Sequence, residues 1–248
     1  MLIDHIEVTT AFAEGDESAW PLSVPAIRDL AENGLPITSD LVVLVGANGS
    51  GKSTLLEGIA EAYGLDVRGG HGGRHYVSPL DKSPLGAALR LHRTTRGRKL
   101  TGRKATGFFL RAETAYGMLA YMTGKEVVGY GDRLSWEVSH GESYLQAITG
   151  RFSGPGLYLL DEAEGPLSFQ STLLLLYHLR ELVATHNAQV IYSTHSPLVA
   201  ALPGAQILEM SEDGIHEQEW SDLDAVRLWQ TFLRHPQRMF DFDQHDDQ

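Results

Sequence analysis

The stretch LVVLVGANGSGKSTLLEGIAEAYG, residues 41–64, constrains this 248-residue chain more than any other. Its opening, Leu41 to Val45, is a continuous valine-rich apolar run, which suits a strand buried on both faces in a parallel sheet covered by helices. LLEGIAEAYG then has helical spacing and an end marked by Gly64. Between them Gly46 to Ser53 fits G-x-x-x-x-G-K-[ST], in the strand-before, helix-after context that the pattern requires. Glycines let such a loop curl with its N–H groups pointing inward at phosphates, and the helix N-terminus adds partial positive charge. Gly46, Ala47, Asn48, Gly49, Ser50, Gly51, Lys52, Ser53 and Thr54 are therefore candidate nucleotide contacts. Lys52 suits the β- and γ-phosphates, and the Ser53 hydroxyl suits Mg²⁺.

The remainder of the chain supports an α/β core. GLYLLDE and AQVIYSTH read as two more buried strands, AQILEM as a fourth, and STLLLLYHLRELVATH as a strongly apolar helix. GFFLRAE reads as a strand and LIDHIEV as a half-buried one, while SVPAIRDLAENG reads as a short helix closed by Gly34. TAYGMLAYM and ESYLQAITGRF have helical spacing. Buried strands alternating with helices predict a doubly wound, mainly parallel sheet in one domain spanning 1–248, with small antiparallel strands near the N-terminus. Residues 66–107 are rich in Gly, Arg, His and Thr and read as a mostly loop-like insertion, with PLGAALRLH the exception. DFDQHDDQ, 241–248, reads as a solvated acidic tail.

Composition excludes several classes. No cysteine is present, which rules out disulfide frameworks and cysteine-based zinc sites and suits a reducing cytoplasm. No apolar run reaches the roughly 18 residues of a membrane span, and MLIDHIEVTT lacks the pattern of a secretion signal. The formal charge of −12 is unevenly spread: residues 68–104 hold ten of the twenty Lys and Arg residues and Asp81 as their one acid. Within that segment RTTRGRKLTGRK, 93–104, either tracks a nucleic-acid phosphate backbone or is a solvated loop paired with acids elsewhere. The charge comes with no aromatic platform beyond Tyr76, which favours the solvated loop.

Two further motifs carry chemistry. In GLYLLDEAE, Asp161 at the end of a buried strand suits Mg²⁺, and Glu162 beside it suits orienting or deprotonating an attacking water. In YSTHSP, His195 emerges beyond another buried strand, at the carboxyl edge where ligands of open α/β sheets collect. That position favours a γ-phosphate contact over the core or surface role of most lone histidines.

These elements, in this order and with SHGES about twenty residues ahead of Asp161, resemble the ATP-binding cassette (ABC) class of P-loop ATPases. The class carries a signature, typically LSGGQ, before its acidic strand and a switch histidine after it. Aligned on that signature, residues 138–142 keep Ser139 and Gly141 but place His140 and Glu142 where glycine and glutamine are usual. More narrowly, GANGSGKSTLLEGIA, GFFLRAE, SHGES, GLYLLDE and THSP look like a group of small, free-standing bacterial ATPases.

The resemblance implies ATP and Mg²⁺ as ligands and ATP hydrolysis as the activity. It also implies a head-to-tail homodimer in which Ser139, Gly141 and Glu142 of one copy close over the nucleotide of the other. The alternative for SHGES is an N-capped helix of unrelated purpose. The resemblance further offers Glu113 as a metal ligand in place of the usual glutamine, and Trp20 as an adenine-stacking residue, though Trp20 equally suits a core. AEGPLS takes the place of the dimer-contacting loop, with Leu167 kept and Ser168 standing where an acid is usual. A helical signature region is expected over 114–150. The activity acts on an unidentified partner; the alternative is a nucleotide-gated module that hydrolyses slowly and holds nucleic acid or protein. A transporter motor is disfavoured because the region ahead of the signature is short.

Overall fold

The computed structural model describes residues 1–67, 69–71, 83–100, 106–111 and 140–240. Glu113, Ser139, most of the expected helical region, residues 101–104 of the basic stretch and the acidic tail lie outside the described residues.

Among the described residues the main sheet has seven strands. β3 (Leu41–Gly46) lies at its middle, flanked by β8 (Gln189–Thr194) on one side and β9 (Gln206–Ser211) on the other. Beyond β8 come β7 (Leu157–Asp161), β6 (Gly107–Arg111) and the short β4 (Gly70–His71); beyond β9 lies β10 (Gly214–Glu217). The five inner strands run parallel, and both edge strands are antiparallel to their neighbours. Alternation within each strand then feeds two cores, as a sheet covered on both faces requires. Val42, Leu44, Leu159 and Ile191 point to one, with Leu55, Leu56 and Ile59 of the helix Lys52–Tyr63. Val43, Val45, Leu160 and Val190 point to the other, with Leu175, Leu179 and Leu182 of the helix Phe169–His186.

A second, three-stranded antiparallel sheet sits over the first core. β1 (Ile3–Val8) is its centre, between β2 (Leu35–Pro36) and β5 (Leu89–Arg93). β5 falls on PLGAALRLH, the exception within the loop-like insertion, and runs one residue past it; it pairs with β1 from Ile3 to Val8. Leu89 is buried in the core, so the alternation of LRLHR has a face to cover. Two glutamines fasten the small sheet to the large one. Gln189, fully buried at the start of β8, accepts from Leu2 and Ile3 N–H at 3.0 and 2.8 Å and donates to the Ile3 carbonyl at 2.9 Å. Gln206, at the start of β9, accepts from Thr38 N–H at 3.0 Å and donates to the Pro36 carbonyl at 3.2 Å.

The helix after the acidic strand begins at Phe169 with Ser168 as its cap, the hydroxyl accepting from Ser171 N–H at 3.2 Å. A serine where the resemblance leads one to expect an acid thus has a local structural use. His140–Thr149 is also helical, beginning within SHGES. The amphipathic helix Asp224–Arg234 was not anticipated from the sequence; it buries Val226 and leaves Leu228, Trp229 and Leu233 exposed.

Candidate functional site

Loop 46–51 leaves β3 at the carboxyl edge of the sheet and turns directly into the helix that starts at Lys52. Gly46 passes so close to β9 that a Cβ there would stand 2.3 Å from the Met210 carbonyl oxygen. Gly51 caps the helix in the left-handed region, φ +98°, which glycine adopts without the clash that a side chain would bring. No side chain caps this helix, so its first N–H groups face the loop's concavity.

Within that frame, Lys52 is buried, and its ammonium donates to the carbonyls of Gly46 and Ala47 at 2.9 and 3.0 Å. Burial lowers its pKa from the usual lysine range, opposed by the negative charges of Glu162 and Asp161. Ser53 Oγ donates to Asp161 Oδ1 at 3.1 Å, joining the helix to the end of β7. Asp161 also accepts from the Ser193 hydroxyl on β8 and lies 4.0 Å from Arg111 Nε. Arg111 stands in register with Asp161 across the β6–β7 pair and reaches Glu57 at 2.7 Å. Arg111 lies within GFFLRAE with no role of its own marked there, and its place at the end of a strand beside an acid-ended strand is the available signal.

The acidic pair and the histidine meet at the same edge. Glu162 adopts φ +50°, an uncommon conformation for a residue with a side chain. Its N–H donates to the Ser193 carbonyl at 3.1 Å, and its carboxylate stands 2.9 Å from His195 Nε2. The carboxylate oxygen and the ring nitrogen are in close approach, and among the described residues His195 Nε2 makes no hydrogen bond. A cleft of about 390 Å³ brings Asn48, Gly49, Lys52, Ser53, Thr54, Glu162 and His195 together with Trp20 and Val24. Trp20 is 57 % exposed, so it serves the cleft wall and not the core. Among the described residues Ser50 Oγ, buried in the loop, has no hydrogen-bond partner, which suits it to a phosphate oxygen.

Mg²⁺ fits the donor set as well. A serine hydroxyl and one carboxylate are hard oxygen ligands, and magnesium keeps its other positions for phosphate and water. Among the described residues no cluster of three or more His, Cys, Asp or Glu side chains forms an all-protein metal site. The basic stretch is partly engaged internally. Arg93 donates to the Leu100 and Tyr63 carbonyls at 3.0 and 3.3 Å and lies over the Tyr63 ring, while Arg96 and Lys99 are exposed.

A mainly parallel α/β sheet carrying a phosphate-loop sequence at its carboxyl edge makes this a P-loop fold. No protein-family model matches the chain, and no curated protein does. Among solved structures it is similar to cbiO1 of Clostridium perfringens, part of the ABC transporter complex cbiONQ, with 17 % identity over 83 % of this chain and 88 % of that one, TM-score 0.45. It is also similar to a metal-chelate-type ABC transporter in an inward-facing conformation, with 14 % identity over 94 % of this chain and 89 % of that one, TM-score 0.47. A third likeness is to MJ0796, a bacterial ABC transporter cassette of dimeric structure, with 16 % identity over 77 % and 90 %, TM-score 0.44. Among the described residues no helix is long and apolar enough to cross a membrane.

Proposed function

We propose that this chain binds ATP in the cleft between loop 46–54 and residues 161–162 and hydrolyses it to ADP and phosphate with Mg²⁺. The observation that carries the reading is the Ser53–Asp161 contact at 3.1 Å, with Glu162 and His195 beside it at the same strand edge. Loop N–H groups and the helix N-terminus hold the phosphates, and Lys52 supplies the positive charge at their terminal end. When bound, Mg²⁺ draws charge from the phosphate oxygens, and Ser53 and Asp161 are the residues that would hold it. Glu162 accepts the proton of the water whose oxygen attacks the terminal phosphorus, with ADP leaving on the opposite side. His195, held against Glu162, contacts the transferred phosphate. Trp20, exposed on the cleft wall, stacks on the base.

Closure of the site needs a second copy. The helix that starts within SHGES offers an N-terminal end for phosphate, and Ser139, Gly141 and Glu142 bring it over the partner's nucleotide in a head-to-tail homodimer. Glu113, by the family resemblance, is the further residue that would hold the metal. The cycle of closure and hydrolysis works on an unidentified partner in the cytoplasm.

A Glu162→Gln protein is expected to bind ATP with little change, run as a dimer in gel filtration with Mg²⁺ and ATP, and turn over about 10²–10⁴-fold more slowly. Turnover equal to the unaltered protein would refute the assignment. The exposed Arg96 and Lys99 favour one second reading, a nucleotide-gated module that holds nucleic acid. Titration with single- and double-stranded DNA at two salt concentrations separates it from the first, since that reading requires salt-sensitive binding that responds to ATP.

A further inference from the structure

Glu164 lies two residues beyond Glu162, outside the cleft, yet its carboxylate is held at both oxygens. Oε2 accepts from the Tyr192 hydroxyl at 2.8 Å, and Oε1 accepts from the Thr194 hydroxyl. Both donors are among the last three residues of β8, the strand that delivers His195. Thr194 Oγ1 in turn accepts from Ser196 N–H at 2.8 Å, so one hydroxyl ties Glu164 to the backbone on the far side of the histidine. Tyr192 is wholly buried, and its pKa is pushed well above the ordinary value by that burial and by Glu164. It therefore remains a neutral donor.

The segment that Glu164 anchors is under constraint. Glu162 occupies the left-handed region at φ +50°, which is strained for a residue with a side chain and persists only when its surroundings fix it. The chain then doubles back through Gly165 N–H to the Glu162 carbonyl at 3.1 Å and Leu167 N–H to the Glu164 carbonyl at 2.8 Å. Without its carboxylate, the turn keeps the Glu162 N–H to Ser193 bond and the backbone contact of Glu164 with the Tyr192 hydroxyl but loses both carboxylate ties to β8. Tyr144 of the helix His140–Thr149 is buried in the same apolar cluster as Tyr192 and is close enough to act on its ionisation. The anchor thus adjoins the helix that begins in the signature.

We propose that Glu164 is a positioning residue: it fastens the turn bearing Glu162 to the end of β8 bearing His195, and so sets the spacing of those two groups. This rests on the ATPase reading above. Misplacement of reacting groups by about 1 Å costs on the order of a hundredfold in rate, so the spacing is read in kcat more than in ATP binding.

The test measures kcat and KM for ATP in the unaltered protein, Glu164→Ala, Glu164→Gln, His195→Ala and the double variant Glu164→Ala with His195→Ala. Glu164→Ala is expected to lower kcat by about tenfold to a hundredfold with KM changed less than about twofold. Glu164→Gln keeps an oxygen for Thr194 and a group for the Tyr192 hydroxyl, and is expected to recover most of the rate. In the His195→Ala background the Glu164 change should add little, because residues acting through one another are not additive. A merely structural residue would instead lower the rate by the same factor in both backgrounds, and that result overturns the proposal, as does a Glu164→Ala enzyme of normal kcat. If Glu164→Ala does not fold, Tyr192→Phe in the same cycle is read by the same criteria, with a loss of about threefold. An unaltered protein that hydrolyses no ATP overturns the ATPase reading itself, and this proposal with it.

Discussion

Replacing Gln189 by leucine tests how the two sheets are joined. The substitution keeps the side chain's approximate size but removes the acceptor of Leu2 and Ile3 N–H and the donor to the Ile3 carbonyl. All three backbone groups are buried with it, since Leu2, Ile3 and Gln189 have no exposed surface. A buried group left unpaired costs about 1–3 kcal/mol, while a buried leucine returns about 1.5–3 kcal/mol relative to an exposed one. With the middle of both ranges, the net loss is about 4 kcal/mol, a large part of a domain's usual 5–15 kcal/mol. Urea unfolding followed by circular dichroism should show it. With a slope of about 3 kcal/mol per molar, the midpoint falls by about 1.3 M. A shift below about 0.3 M would mean that water or a local shift satisfies these groups, and the amide would not be the joint described above.

Two other outcomes follow from the same structure. Glu209 has its pKa raised by burial, then by the neighbouring Asp224. Its folded state therefore holds a proton more tightly than its unfolded one, and the cost of the ionised form is present above the raised value and vanishes as pH falls through it. Glu209→Gln should melt higher than the unaltered protein at pH 7, with the difference closing by about pH 4; a gap constant across that range in thermal melts would refute the cause given. Gly46→Ala would press a Cβ against the Met210 carbonyl oxygen, 2.3 Å away. It should cost about 1–3 kcal/mol in stability and abolish ATP binding by calorimetry, whereas normal affinity would show that the loop tolerates displacement from β9.

The inner strands were legible because each is a short apolar run that has to be buried on both faces. The phosphate loop, Asp161, Glu162 and His195 were legible because their flanking strands place them at one edge before any side-chain contact is known. β5 was legible in part: PLGAALRLH stands apart from its Gly- and Arg-rich surroundings, but its partner β1 lies more than eighty residues earlier in the chain and has no mark there. The glutamine joints were not legible, since Gln189 and Gln206 in sequence are only polar residues at the start of apolar runs. A buried amide declares itself through the backbone that it meets, and that backbone comes from elsewhere. Glu164 escaped notice for the same reason: next to an obvious acid pair, a third acid in a loop has no local mark of its two hydroxyl donors.

Loop 46–51, Asp161 and His195 hang from β3, β7 and β8, a consecutive trio in the ladder with β8 in the middle. Their lateral separations are consequently dictated by interstrand backbone pairing, about 4.8 Å per step, and not by the side chains themselves. A fragment lacking any one of the three strands would lose a whole component together with the ruler that spaces the others. Ser53 and Asp161 are 108 positions apart in sequence, so a nascent chain must grow through all of that interval before the contact between them can form.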